Sequence, residues 1–140
     1  MTQETSMQDS NVQSKRFWDF ELHFNKNRRI FYPREITYFK RVATGCLIMH
    51  MFLRGKKYTR SAIVFVPDPE FKWSFEHNGI MWERVHTQSN PNHKIHLHRL
   101  KAPEGWVVKE LLTTKSPSQD SGIYNLSLIY IDDPHHQWDI

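Results

Sequence analysis

Apolar and polar residues alternate with a period of two along most of the chain. Phe71, Trp73 and Phe75 alternate with Lys72 and Ser74. His77-Asn78-Gly79 follows, then Ile80-Met81-Trp82. Asn-Gly between apolar runs predicts a hairpin, because both turn residues tolerate positive φ. Ile63 to Val66 is mostly β-branched or aromatic and is closed by Pro67-Asp68-Pro69. Ile95 and Leu97 alternate with His96 and His98, and Ile123 to Ile131 is a long β-prone run ending in Asp132-Asp133-Pro134. Leu47 to Leu53 and Trp106 to Thr114 fit either a strand or a buried helix turn. Phe17 to Phe24 carries the one weak helical spacing. No heptads and no internal repeat emerge. Many short strands with turn punctuation predict an all-β sandwich or barrel.

With 140 residues, the chain suits one domain. Residues 1–14 are polar and predict a disordered tail, leaving 15–140 as the domain. That tail lacks the apolar core of a secretory signal. The longest apolar run, Cys46 to Leu53, is broken by His50 and is too short for a membrane helix, so no membrane partner is expected. Cys46 is the single cysteine. It excludes an intrachain disulfide and fits a reducing compartment.

Charge is more informative by position than in total. Lys and Arg number 19 against 15 Asp and Glu, a formal net charge of +4. Between Lys26 and Arg60 stand Lys26, Arg28, Arg29, Arg34, Lys40, Arg41, Arg54, Lys56, Lys57 and Arg60, opposed by Glu35 alone. From Ser116 onward there is no Lys or Arg, while Asp120, Asp132, Asp133 and Asp139 are acidic. A basic stretch interleaved with Tyr and Phe is the footprint of a phosphate-backbone binder.

Catalytic patterns are absent. There is no glycine-rich phosphate loop and no nucleophile elbow. Cys46 lies in an apolar run, as an inert core thiol does. His96 and His98 share a strand face and could form a two-ligand metal clip, but no third ligand is spaced to complete it. His135-His136 reads as an exposed loop pair and Asp132-Asp133 as a turn. The expectation is a non-enzyme without cofactor or metal.

Several segments, taken in order, resemble the T-box family of DNA-binding domains. Asn27-Arg28-Arg29-Ile30-Phe31-Tyr32-Pro33 is similar to the family's Gly-Arg-Arg-Met-Phe-Pro. Phe17-Trp18-Asp19 is similar to its opening, and Lys57-Tyr58 through Phe75 to its Lys-Tyr, strand and acidic-turn stretch. Asn78 to Trp82, His86 to Pro91, His98-Arg99-Leu100-Lys101 and Gly105 to Pro117 follow in the family's order. The resemblance covers residues 17 to about 131. It departs at Asn27, at the inserted Tyr32 and at Ala102-Pro103-Glu104. The family's later strands and its minor-groove helix have no counterpart before Ile140.

The resemblance implies an immunoglobulin-like β-sandwich of the p53-like transcription factor type, incomplete at the C-terminus. It implies sequence-specific binding of double-stranded DNA, transcriptional regulation and a nuclear address. Carried over residue by residue, it implies that Arg28 or Arg29 reaches the DNA and that Arg99 and Lys101 contact phosphates. The alternative from another class is a protein-interaction module that keeps the sandwich without DNA contact, with a sheet edge near Ile123 to Ile131 open to a partner strand.

Overall fold

The computed structural model describes residues 17–24, 34–54, 57–75, 81–114 and 123–140. They form eight strands and, among the described residues, no helix. The strands are β1 (Phe20–Phe24), β2 (Arg34–Val42), β3 (Gly45–Arg54), β4 (Lys57–Pro67), β5 (Trp82–Ser89), β6 (His93–Ala102), β7 (Gly105–Thr114) and β8 (Ile123–Asp132). They build two antiparallel four-stranded sheets, ordered β1-β2-β3-β4 and β5-β6-β7-β8.

The sheets pack face to face. One core joins Phe39, Cys46, Ile48 and Val66 of the first sheet to Leu100, Val107 and Leu128 of the second. Burying each such side chain stabilises by about 1.5–3 kcal/mol. The expected all-β sandwich is therefore what the chain forms. Immunoglobulin-like sandwiches pass between their sheets in Greek keys. Here the strands run consecutively within each sheet, so the strand orders carry the sandwich and not that finer type.

Local expectations fared unevenly. Leu47 to Leu53 and Trp106 to Thr114 are strands, β3 and β7. The helical spacing of Phe17 to Phe24 gives way to strand β1, whose Phe20 and Leu22 pack on the core. Phe71 to Phe75 alternates but is no strand, because the Asp68 carboxylate takes the amide hydrogens of Lys72 and Trp73. Asn78 and Gly79 lie outside the described residues. His136 is no free loop residue: its ring Nε2 lies 2.7 Å from the Ala102 carbonyl oxygen.

An internal repeat, not visible in the periodicity, is plain in the structure. The β2–β3 hairpin pairs Val42 with Gly45, and the β6–β7 hairpin pairs Ala102 with Gly105. A Cβ on Gly45 would run into the Val66 carbonyl and the Phe65 ring; one on Gly105 would run into the Ile131 carbonyl and the Tyr130 hydroxyl. After β4 and β8 comes the same loop, Asp-Pro-x-x-x-Trp, at Asp68–Trp73 and Asp133–Trp138. Asp68 donates its amide to Thr44, and Asp133 donates to Glu104. Asp68 accepts from the amides of Lys72 and Trp73 at 2.9 and 3.0 Å, and Asp133 from Gln137 and Trp138, both at 2.9 Å. The third residue after each Asp holds a positive φ, 52° at Phe71 and 50° at His136. Two bulky residues in this sparsely populated region, at one loop position, mark a shared backbone device.

Candidate functional site

Antiparallel register assigns each charged residue to an end of the sandwich. At one end β2 begins with Arg34, β3 finishes with Arg54 and β4 begins with Lys57, with Arg34 opposite Leu53 and Arg54 opposite Lys57. Arg60 is opposite Phe52, on the rungs next to that end. The chain leaves β1 at Phe24 and enters β2 at Arg34 at this same end, where Phe24 pairs with Glu35. The intervening residues hold Lys26, Arg28 and Arg29; all three lie outside the described residues.

The opposite end carries Asp68, Glu70, Glu104, Asp132 and Asp133. Lys72 reaches Glu70 and Glu104 there at 3.4 and 3.2 Å, a contact that joins the loop of the first sheet to the hairpin of the second. Both sheets therefore point the same way. Lys40 and Arg41 belong to this end. Lys40 stands 3.5 Å from Asp19. Arg41 donates to the Trp73 carbonyl and lies 4.7 Å from the Phe75 ring centre. They are thus separated from Arg34, Arg54, Lys57 and Arg60.

Of the four residues carried over from the T-box pattern, Arg99 and Lys101 lie among the described residues. Arg99 and Lys101 stand near the β6–β7 hairpin, at the acidic end. Lys101 is exposed. Arg99 is buried: its Nε donates to Glu83 at 2.7 Å and its Nη1 to the Trp138 carbonyl at 2.5 Å. Its guanidinium lies 3.8 Å from the Trp106 ring centre and 4.9 Å from that of Trp138. A planar delocalised cation suits such stacking. These partners engage Arg99 inside the protein.

A second polar constellation lies between the sheets, and the sequence reading passed over it. Trp82 Nε1 donates to Thr37 Oγ1 at 2.8 Å, and Thr37 Oγ1 is 2.8 Å from His50 Nδ1. His50 Nε2 is 3.0 Å from Glu35 Oε1, and Lys109 donates to the same oxygen at 3.0 Å. Indole N–H can only donate, so Thr37 accepts from Trp82, and its own hydroxyl proton is then available to His50 Nδ1. In that arrangement Nε2–H donates to Glu35 and His50 is neutral. Burial pushes the His50 pKa down to about 4, against the raising effect of Glu35. Burial alone would raise Glu35, but the His50 hydrogen bond and the Lys109 charge outweigh it and hold the carboxyl at about 2. Burial also lowers Lys109. The sequence signs were modest: His50 interrupts an apolar run, and Lys109 interrupts Val107 to Leu112 at an inward-facing position.

His96 and His98 do share the inward face of β6. Burial lowers both, His98 to about 4. No group of three or more His, Cys, Asp or Glu able to hold a metal ion occurs among the described residues. Cys46 is fully buried, and burial pushes its thiol up to about 12, far from a reactive thiolate.

No known protein family matches this chain. No curated protein matches it either, and no solved structure does.

Proposed function

We propose that this protein binds double-stranded DNA through the basic end of its first sheet, as a nuclear transcriptional regulator. One observation carries the reading. Antiparallel register brings Arg34, Arg54, Lys57 and Arg60 to the end where β1 hands over to β2, and the connection there contains Lys26, Arg28 and Arg29. A cluster of cations at one end of the described strands, with three more in the sequence of the connection, supports polyanion binding even though the net charge is small. The T-box-like Asn27-Arg28-Arg29 segment lies in that connection and supports arginine reading of guanine edges. Glu35, the acidic residue of this stretch, turns its carboxylate inward to Lys109 and His50 and does not offset the surface charge.

The test is duplex binding across a salt series, using a TCACACCT-type site of the kind the resemblance implies and a scrambled duplex. Affinity should fall steeply with salt for both and be higher for the first. Arg28→Ala should weaken site binding by about 1–3 kcal/mol if Arg28 reads a base. Lys101→Ala, at the opposite end, should change little. Absence of binding at low salt overturns the reading; equal affinity for the two duplexes removes its sequence specificity.

A second reading, the protein-interaction module, is favoured by a specific observation. Ile63, Phe65, Ile129 and Ile131 are exposed apolar side chains on β4 and β8.

A further inference from the structure

The two repeats are equivalent strand by strand, but their equivalent faces do not face each other. Gly45 matches Gly105 and Asp68 matches Asp133, so Cys46 and Ile48 correspond to Trp106 and Val108, and Val64 and Val66 to Ile129 and Ile131. Cys46, Ile48, Val64 and Val66 belong to the core between the sheets. Ile129 and Ile131 point to the other side of the second sheet, because Leu128 and Tyr130 take the inward positions. The converse holds for the first sheet. Its Ile63 and Phe65 correspond to Leu128 and Tyr130, yet they face outward. The aromatic loop residues agree: Trp73 packs on Phe39 inside the sandwich, while Trp138 packs beside Arg99 on the outside of the second sheet.

The contact between the sheets is therefore heterologous. One face of the repeat, seen in Val64 and Val66, packs on its other face, seen in Leu128 and Tyr130. Each molecule keeps one unmatched copy of both faces, on opposite sides. These unmatched copies carry the exposed apolar side chains of β4 and β8. Ile63 is 56% exposed and Ile129 54%. Ile36 and Met51 on the outer side of the first sheet, and Trp106 and Val108 on that of the second, are already buried, so the open patches are the β4 and β8 halves. The polar constellation is not repeated at the unmatched faces: the counterparts of Glu35 and Lys109 are Ile95 and Met49.

We propose that copies of this chain associate head to tail, the outer side of the first sheet of one copy packing on the outer side of the second sheet of the next. The occupant is a second copy because the molecule already contains this packing once, between its own two repeats. Such a contact uses two different surfaces, so it closes into a ring or continues as a filament.

The test uses the full chain and two variants, Ile63→Glu and Ile129→Glu, each altering one exposed position. The parent protein should form species larger than a dimer in sedimentation velocity as concentration rises. Each variant alone should stay monomeric. An equimolar mixture should form a one-to-one heterodimer with twice the monomer mass, because each variant retains the face the other lacks. Ile63→Lys and Ile129→Lys provide a second pair, with unfolding midpoints showing that the variants fold. A parent monomeric at all concentrations overturns the proposal. So does either single variant that still dimerises, since that contact joins like surfaces, and so does a mixture that stays monomeric. DNA binding is measured separately at the basic end, so loss of either result leaves the other readable.

Discussion

The two repeats share a backbone device and differ in what covers it. In the first, Asp68 is 1% exposed, and its loop lays Trp73 and Phe75 against Phe39 under the second sheet. In the second, the Asp133 loop faces outward, and the position of Phe39 is taken by Arg99, stacked on Trp106 and Trp138 and paired with Glu83. Where a partner sheet excludes water, an aromatic hydrocarbon suffices. Where the face is open, a cation with a carboxylate partner and two indoles closes the same space. The capping aspartate is thus the common element, and the packed residue follows its surroundings.

The largest test of this asymmetry targets a charge found in one repeat only. Lys109 is 3% exposed, and its counterpart in the first repeat is Met49. Lys109→Met makes the repeats alike at that position but strands the Glu35 carboxylate. Breaking a buried pair costs about 3–5 kcal/mol, to be read as a lower urea midpoint. The double variant Lys109→Met with Glu35→Leu should regain most of that loss, because removing both charges removes the desolvation penalty. A single variant as stable as the parent would mean that the pair does not hold the sheets together.

Next in size are the paired aspartates. Asp68→Ala removes a carboxylate accepting from two backbone amides, one of them buried, and should cost about 3 kcal/mol. Asp133→Ala removes the same two bonds and a third, from Trp106 Nε1 at 2.9 Å. Its loop faces water, which can replace the lost acceptor, so the loss should be smaller. Equal losses in urea unfolding would show that exposure does not separate the repeats.

Strand content was legible in the sequence because period-two alternation is a local signal: Ile95 to His98 and Ile123 to Ile131 are strands as the pattern implies. Phe71 to Phe75 alternates equally well and misled, since what decides its backbone is a side chain a few residues upstream. The repeat was hidden for a related reason. The two units share Gly45 with Gly105 and Asp68-Pro69…Trp73 with Asp133-Pro134…Trp138, but core positions diverged as their faces met different surroundings. The spaced Asp-Pro and Trp were the readable trace. The basic stretch was legible as composition, yet sequence could not separate Lys40 and Arg41, carried to the acidic end, from Arg34 and Arg54. Arg99 reads as a surface cation until Trp138 is folded over it.

A further expected effect is a pH dependence that arises in the space between the sheets. Folded His50 resists protonation down to about pH 4, because burial disfavours its charged form, whereas an unfolded histidine titrates near 6.5. Between those values the unfolded chain binds a proton that the folded chain refuses. Stability must therefore fall as pH drops through this window. For His50 the loss is on the order of 3 kcal/mol. His98, also lowered to about 4, acts in the same direction. Below about 4.5, Glu35 extends the loss down to about pH 2, since its folded carboxylate stays ionised while the unfolded one takes up a proton. Urea midpoints measured from pH 7 to 4 should decline steadily, and His50→Asn should decline less. The second repeat has Glu110 where the first has His50, on the outward side, so it carries no counterpart of this buried imidazole. A parent profile flat over that range would mean that His50 is charged in the folded protein, and the hydrogen-bond chain from Trp82 through Thr37 would then have to run with a different donor at Thr37.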